Sequence, residues 1–179
     1  SEARKFLYQE PEAAHDLLQK ITDSTIVYLK AQIEAGADMV QLFDSWAGIL
    51  PKVHYLEFGL NYLRQICDAV NEVPITVFAK GAWFAIEEIG RLNCNTIGLD
   101  WHTSSEMARR LIGKEKTLQG NLDPCLLYAS NEELVLETKS MLNNFGGQKH
   151  IANLGHGVYP DTNPEKVKLF INTIKEHKF

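Results

Sequence analysis

Several things this chain has little of narrow its function before any motif is read. Its 179 residues hold only three cysteines, Cys67, Cys94 and Cys125, odd in number, widely spaced and without a Cys-x-x-Cys pair. Neither a disulfide framework nor a thiolate zinc site is encoded, and the three read as reduced, mostly buried thiols of a cytosolic protein. Basic residues are outnumbered, 18 against 23 acidic, for a formal charge of -5. Binding nucleic acid or an anionic membrane takes a basic surface that displaces counterions, so neither is expected as a partner. Any anionic ligand must meet local cations instead. No apolar run approaches the roughly 18 residues of a membrane span. The first residues lack a basic segment followed by an apolar one, the mark of a secretion signal. No His-x-Cys or His-Glu-x-x-His pair occurs, and His54, His102 and His156 lack metal-ligand spacing, so no metal is expected. A Gly-x-Ser-x-Gly elbow, a Walker loop and a dinucleotide fingerprint are likewise missing.

The composition that remains is that of an ordinary globular domain, 45% hydrophobic and 23% charged. Between Pro11 and Ala35, Ala14, Leu17, Leu18, Ile21, Leu29 and Ile33 fall mostly at three- and four-residue steps, which predicts one buried face of a long helix stopped by Gly36. Met39 to Phe43 reads as a buried strand ending at Asp44-Ser45. Leu56, Leu60, Leu63, Cys67 and Val70 predict a second amphipathic helix, followed after Pro74 by a strand over Ile75 to Ala79. A helix from Trp83 to Leu92 leads to a strand over Thr96 to Asp100, and Thr103 and Glu106 have capping-box spacing for the next helix. Lys116 to Leu122 predicts a fourth strand, with Asp123-Pro124 suited to open a helical turn. Ser130 and Glu133 cap a helix striped by Leu134, Thr138, Met141 and Phe145, ended by Gly146-Gly147. His150 to Leu154 is the fifth strand. A last helix opens near Asn163-Pro164 and buries Val167, Phe170, Ile171 and Ile174.

Nearly continuous apolar strands alternating with helices imply an α/β fold with a parallel sheet covered on both faces. A closed (β/α)8 barrel takes about 250 residues, so the chain is either an open five-stranded sheet or a barrel with strands missing. The long first helix has no strand before it to pack against, which favours a start inside a larger repeat. No linker divides the chain, and residues 1–179 are expected to form a single partial domain.

In a parallel α/β fold the loops after the strand ends share one side. Asp44, Ser45, Lys80, Asp100, His102, Asn121, Asp123, Asn153 and His156 are therefore the candidates for a site. Asp100 and Asp123 have a plainer reading, since an Asp at a strand end commonly caps the next helix. Lys80 beside Gly81 either holds an anion or points into water. Trp46, Trp83 and Trp101 lie near strand ends, where they line a pocket or simply pack. His156 lies between Gly155 and Gly157, where the backbone bends sharply and leaves few neighbours to bury an imidazole, so it favours a functional reading.

Five blocks then carry a resemblance: Leu42-Phe43-Asp44-Ser45-Trp46-Ala47-Gly48, Phe78-Ala79-Lys80-Gly81, Gly98-Leu99-Asp100-Trp101, Leu118-Gln119-Gly120-Asn121-Leu122-Asp123-Pro124 and Asn153-Leu154-Gly155-His156-Gly157. In this order and at these separations they closely resemble the uroporphyrinogen decarboxylase family across essentially the whole chain. The resemblance implies the C-terminal half of a TIM (β/α)8 barrel, with about five parallel strands alternating with helices. It further implies a cytoplasmic carboxy-lyase of porphyrin and haem biosynthesis, a homodimer when complete. Such an enzyme removes carboxyl groups from the acetate side chains of uroporphyrinogen III to give coproporphyrinogen III, with neither metal nor organic cofactor. By the same resemblance Ser45 and His156 contact the substrate. The family's arginine-rich loop, pocket aspartate and pocket tyrosine belong to the half that would precede Ser1, so the catalytic residues are unassigned and this chain alone is expected to show little or no activity. The alternatives are a non-catalytic half-barrel that binds or assembles, for instance edge to edge with another copy, and a superfamily methyltransferase. The missing His-x-Cys pair counts against the methyltransferase. A missing initiator methionine suits a fragment of a parent enzyme.

Overall fold

The structure, a computed structural model, describes residues 2–179, which fall into two compact units, residues 2–97 and 98–179. Five strands alternate with helices along the chain, as expected, and each strand lies beside its predecessor in sequence. Among the described residues no helix is long and apolar enough to cross a membrane.

The first unit opens with α1 (Glu2–Gln9), which the sequence pattern does not predict, and α2 (Pro11–Glu34). Pro11 starts α2 because a helix's first turn has no use for its missing N–H. Gly36, at φ +105°, stops it by donating its N–H back to the Ile33 carbonyl at 2.9 Å. The buried line runs through Ala14, Thr22 and Leu29, whereas Leu17 and Ile21 are about half exposed. The expected face is thus rotated, because α2 packs on α4 (Asn61–Ala69) along that narrower stripe. The predicted helix over 56–70 is interrupted: α3 (Lys52–Tyr55) and α4 are joined by a wider π turn, Leu56–Leu60. There the Tyr55 ring lies over Gly59, so close that a Cβ on Gly59 would meet it at 2.8 Å.

β1 (Val40–Asp44) pairs in parallel with β2 (Ile75–Ala79), from Val40 opposite Ile75 to Asp44 opposite Ala79. Along β1 the alternation is plain, for Val40 and Leu42 are buried while Phe43 is 70% exposed and its ring meets that of Phe78 at 6.1 Å. The predicted helix over 83–92 is a 3-10 turn, Trp83–Ala85, followed by the short α5 (Ile86–Gly90). β3 (Thr96–Gly98) is shorter than expected.

In the second unit, β4 (Thr117–Leu122) and β5 (His150–Leu154) are parallel, from Leu118 opposite His150 to Leu122 opposite Leu154. The backbone following β3 runs against β4, with Leu99 donating to the Gln119 carbonyl at 2.8 Å. Only glycine fits the facing position: Gly120 sits at φ +135°, and a Cβ there would come within 2.5 Å of the Leu99 carbonyl oxygen. α6 (Ser105–Ile112) is capped by Ser104, which accepts the Met107 N–H at 3.2 Å, and not by Thr103 as its spacing predicts. Thr103 is 3% exposed and is held by its carbonyl, which accepts from Asn121. α7 (Asn131–Phe145) is capped by Ser130, which takes the Glu133 N–H at 3.1 Å, and buries the expected stripe of Leu134, Thr138, Met141 and Phe145. In α8 (Pro164–Glu176), which packs on α7, Phe170 and Thr173 are buried and Ile171 is 42% exposed. The contact is centred one helical step away from the face expected.

Candidate functional site

Ser45, Lys80 and Asp44 come together in the first unit because the two loops after β1 and β2 are tied backbone to backbone. Lys80 donates its N–H to the Asp44 carbonyl at 3.0 Å, and Gly48 donates to the Lys80 carbonyl at 2.9 Å. The crossing requires two glycines, for a Cβ on Gly48 would lie 2.8 Å from the Gly81 Cα. Ser45 is exposed at this junction, one residue past the end of β1. Trp46 beside it is 75% exposed and Trp83 is 53% exposed, so ordinary packing does not account for either ring.

Asp44 behaves differently from its neighbour. Strand alternation turns its side chain to the face of Val40 and Leu42. Burial there pushes its carboxyl above the usual aspartate range, against the lowering effect of the Tyr55 hydroxyl and the Trp46 N–H. Tyr55, 1% exposed, is pushed up in turn, first by burial and then by the Asp44 charge. Among the described residues no hydrogen bond of regular geometry reaches the Tyr55 hydroxyl. A Tyr eleven residues beyond a strand end gives no periodic signal, and sequence reasoning misses it.

In the second unit the polar residues at strand ends mostly hold loops. Asp100 is 4% exposed and its Oδ1 accepts the His102 N–H at 3.0 Å. Asn121 donates from Nδ2 to the carbonyls of Asp100 (2.8 Å) and Thr103 (2.6 Å), which fastens the segment after β3 to β4. Asp123 accepts the Cys125 N–H at 2.9 Å and opens a 3-10 turn, Pro124–Tyr128. For Asp123 the plainer reading holds, whereas Asp100 closes a turn on His102 and leaves the cap of the next helix, α6, to Ser104. Asn153 lies within β5 and is exposed, with its side-chain oxygen on the Leu154 N–H.

His156 is exposed just past β5, and its two glycines have different jobs. Gly155 is buried against the segment after β3, where a Cβ would meet the Trp101 backbone nitrogen at 2.8 Å; at Gly157 a Cβ would meet nothing within 4 Å. His156 borders an apolar groove of about 450 Å³ between β5 and α8, lined by Leu154, Val158, Val167, Phe170 and Ile174 among others. His150 gives no signal in the sequence beyond its place at the start of a strand. Its ring stacks on Phe145 with centroids 4.0 Å apart, and its Nε2 lies 2.7 Å from the Gly120 carbonyl oxygen. Burial is the main cause that lowers its pKa.

Comparison with known proteins gives this geometry a context. The family model described as Uroporphyrinogen decarboxylase (URO-D) matches residues 1–177. Curated proteins named uroporphyrinogen decarboxylase are 45% identical in Ovis aries, over 99% of this chain and 51% of the relative, and 45% identical in Christiangramia forsetii, over 98% and 52%. The protein of that name in Homo sapiens is 44% identical, over 99% and 51%. This chain thus spans about half the length of the curated relatives it matches. A solved methyltransferase from Methanosarcina mazei superposes with a TM-score of 0.86 over 97% of this chain and 52% of that one; at 22% identity it shows a shared fold alone. Five parallel strands alternating with helices, unclosed among the described residues and matched to half of each longer relative, are a half barrel. With the five sequence blocks seated at its strand ends, the chain belongs to the uroporphyrinogen decarboxylase family.

Proposed function

We propose that this chain is the C-terminal portion, a single partial domain, of a uroporphyrinogen decarboxylase that removes carboxyl groups from acetate side chains of uroporphyrinogen without metal or organic cofactor. The observation that carries the reading is the family match over residues 1–177. Losing carbon dioxide leaves a carbanion-like centre. Protonating the adjacent pyrrole carbon first supplies the electron sink that other decarboxylases take from a cofactor. The protein's task is then to hold carboxylates and place protons. Ser45, exposed after β1, donates a hydrogen bond to a substrate carboxylate, and His156, exposed after β5, holds a second carboxylate or positions a proton. The complete protein works as a homodimer in the cytoplasm, a compartment that suits the thiols of Cys67, Cys94 and Cys125.

The test is decarboxylation of uroporphyrinogen by the complete protein, with Ser45→Ala, His156→Ala and the 179-residue chain alone for comparison. Turnover by the complete protein, a clear loss in each variant with folding intact, and little or none from the chain alone are expected. Full turnover in both variants would remove these residues from the site, and full turnover by the chain alone would refute the half-enzyme reading. The methyltransferase alternative draws on the fold alone.

A further inference from the structure

The loop between β5 and α8 carries His156, and it is fastened at two points to the segment that follows β4. At its near end Gly155 donates its N–H to the Leu122 carbonyl at 2.7 Å. At its far end Tyr128, the last residue of the 3-10 turn that Asp123 opens, donates its hydroxyl to Asp161 Oδ1 at 2.5 Å and lies 3.4 Å from Thr162 Oγ1. Asp161 is itself inside a turn, closed by the Thr162 N–H on the Tyr159 carbonyl at 3.0 Å, and the Tyr159 ring lies 6.3 Å from that of Tyr128. Every residue from His156 to Asp161 is exposed, so packing does little to order the span. Nor is the tie at Asp161 needed to seat α8. Lys166 of that helix is already held on the same segment, by the Ala129 carbonyl at 2.5 Å and Asn131 Oδ1 at 2.7 Å. A hydrogen bond between two exposed side chains adds little to the stability of the whole chain. What it adds is restraint, for it shortens the stretch that is free to move around His156.

We propose that Tyr128 and Asp161 are positioning residues, whose hydrogen bond holds the loop so that His156 meets the substrate. The inference rests on the reading of His156 as a substrate contact. Residues that act through another add nothing once that other is gone, so their effects do not multiply with its own.

The experiment measures KM and kcat for uroporphyrinogen in the complete protein carrying His156→Ala, Tyr128→Phe, Asp161→Ala or Asp161→Asn, and carrying His156→Ala together with Tyr128→Phe or with Asp161→Ala. His156→Ala should lower kcat/KM about tenfold, the scale of one hydrogen bond to a charged group. Tyr128→Phe and Asp161→Ala should each lower it about fivefold, as a loop freed at one end spends most of its time out of place. The loss should appear in whichever of KM and kcat His156→Ala changes, which a general loss of structure would not respect. Neither substitution should lower kcat/KM further in a chain that already carries His156→Ala. Asp161→Asn keeps an acceptor for the Tyr128 hydroxyl and should lose no more than about twofold. Because Tyr128→Phe and Asp161→Ala break one bond from opposite sides, either carries the test if the other does not fold. An unchanged kcat/KM in both beside an impaired His156→Ala, losses that multiply with that of His156→Ala, or an Asp161→Asn as impaired as Asp161→Ala would each overturn the proposal. An unchanged kcat/KM in His156→Ala overturns the reading of His156, and the proposal with it.

Discussion

Placing an alanine on each side of His156 separates packing from flexibility at the end of β5. A methyl on Gly155 would lie 2.8 Å from the Trp101 nitrogen, 3.1 Å from the Trp101 ring and 3.2 Å from the Asp100 carbonyl carbon. Two of those three are backbone atoms, and the Asp100 carbonyl is held at 2.8 Å by Asn121, so the neighbours cannot retreat without releasing that bond. A methyl on Gly157 meets no atom within 4 Å, and its backbone is not left-handed. Gly155→Ala should therefore destabilise the chain by about 2 kcal/mol, in the range of overpacked cores. Gly157→Ala should change stability by less than about 1 kcal/mol, towards stabilisation, because alanine narrows the unfolded ensemble. With a urea slope of about 2 kcal/mol per molar, the midpoint of Gly155→Ala falls by about 1 M and that of Gly157→Ala moves by less than about 0.5 M. Urea titration followed by circular dichroism reads both. Equal shifts in the two variants would refute the view that the close approach to Trp101, and not the bend itself, sets where His156 begins.

Two further outcomes rest on single contacts. Ser130→Ala removes the acceptor of the Glu133 N–H and should cost about 1 kcal/mol, while Ser130→Asp should not; thermal melts of the two decide it. For His150 the folded-state pKa lies below the ordinary 6.5, so protons bind the unfolded chain better. Its contribution is full above 6.5 and is lost as pH falls through the folded value. Urea midpoints between pH 7.5 and 5 should drop more steeply in the unaltered chain than in His150→Gln, and a slope of opposite sign would refute the buried-neutral assignment.

How much of this can be read from the residues alone depends on whether the signal is local. β2 and β5 begin and end where the pattern places them, because each is a short apolar run between strong breakers, Pro74 before Ile75 and Gly155 after Leu154. The caps at Ser130 and Asp123 are also local, a side chain reaching two or three residues along the chain. α1 escapes the pattern because Glu2–Gln9 buries no residue and abuts Pro11 without a cap. The helix over 56–70 reads as continuous because a hydrophobic period carries no sign of a ring lying across Gly59. Thr103 loses the cap to Ser104 for a tertiary reason, the grip of Asn121 on its carbonyl.

The same distinction sorts the polar residues at the strand ends. Asp100, Asn121 and Asp123 look as functional in sequence as Ser45 and His156, but each holds backbone: Asp100 and Asp123 take an N–H two residues along their own loop, and Asn121 donates to the carbonyls of Asp100 and Thr103. A group whose capacity is taken by fixed backbone cannot also carry a substrate carboxylate without giving up that bond. Ser45 and His156 are exposed, and each comes directly after a residue that the fold has pinned: Asp44 through the backbone bond to Lys80, Gly155 through its close approach to Trp101. On the proposal that Ser45 and His156 meet the substrate, pinning of this kind places the hydroxyl and the imidazole before the ligand arrives and lowers the ordering cost that a flexible loop would charge on binding.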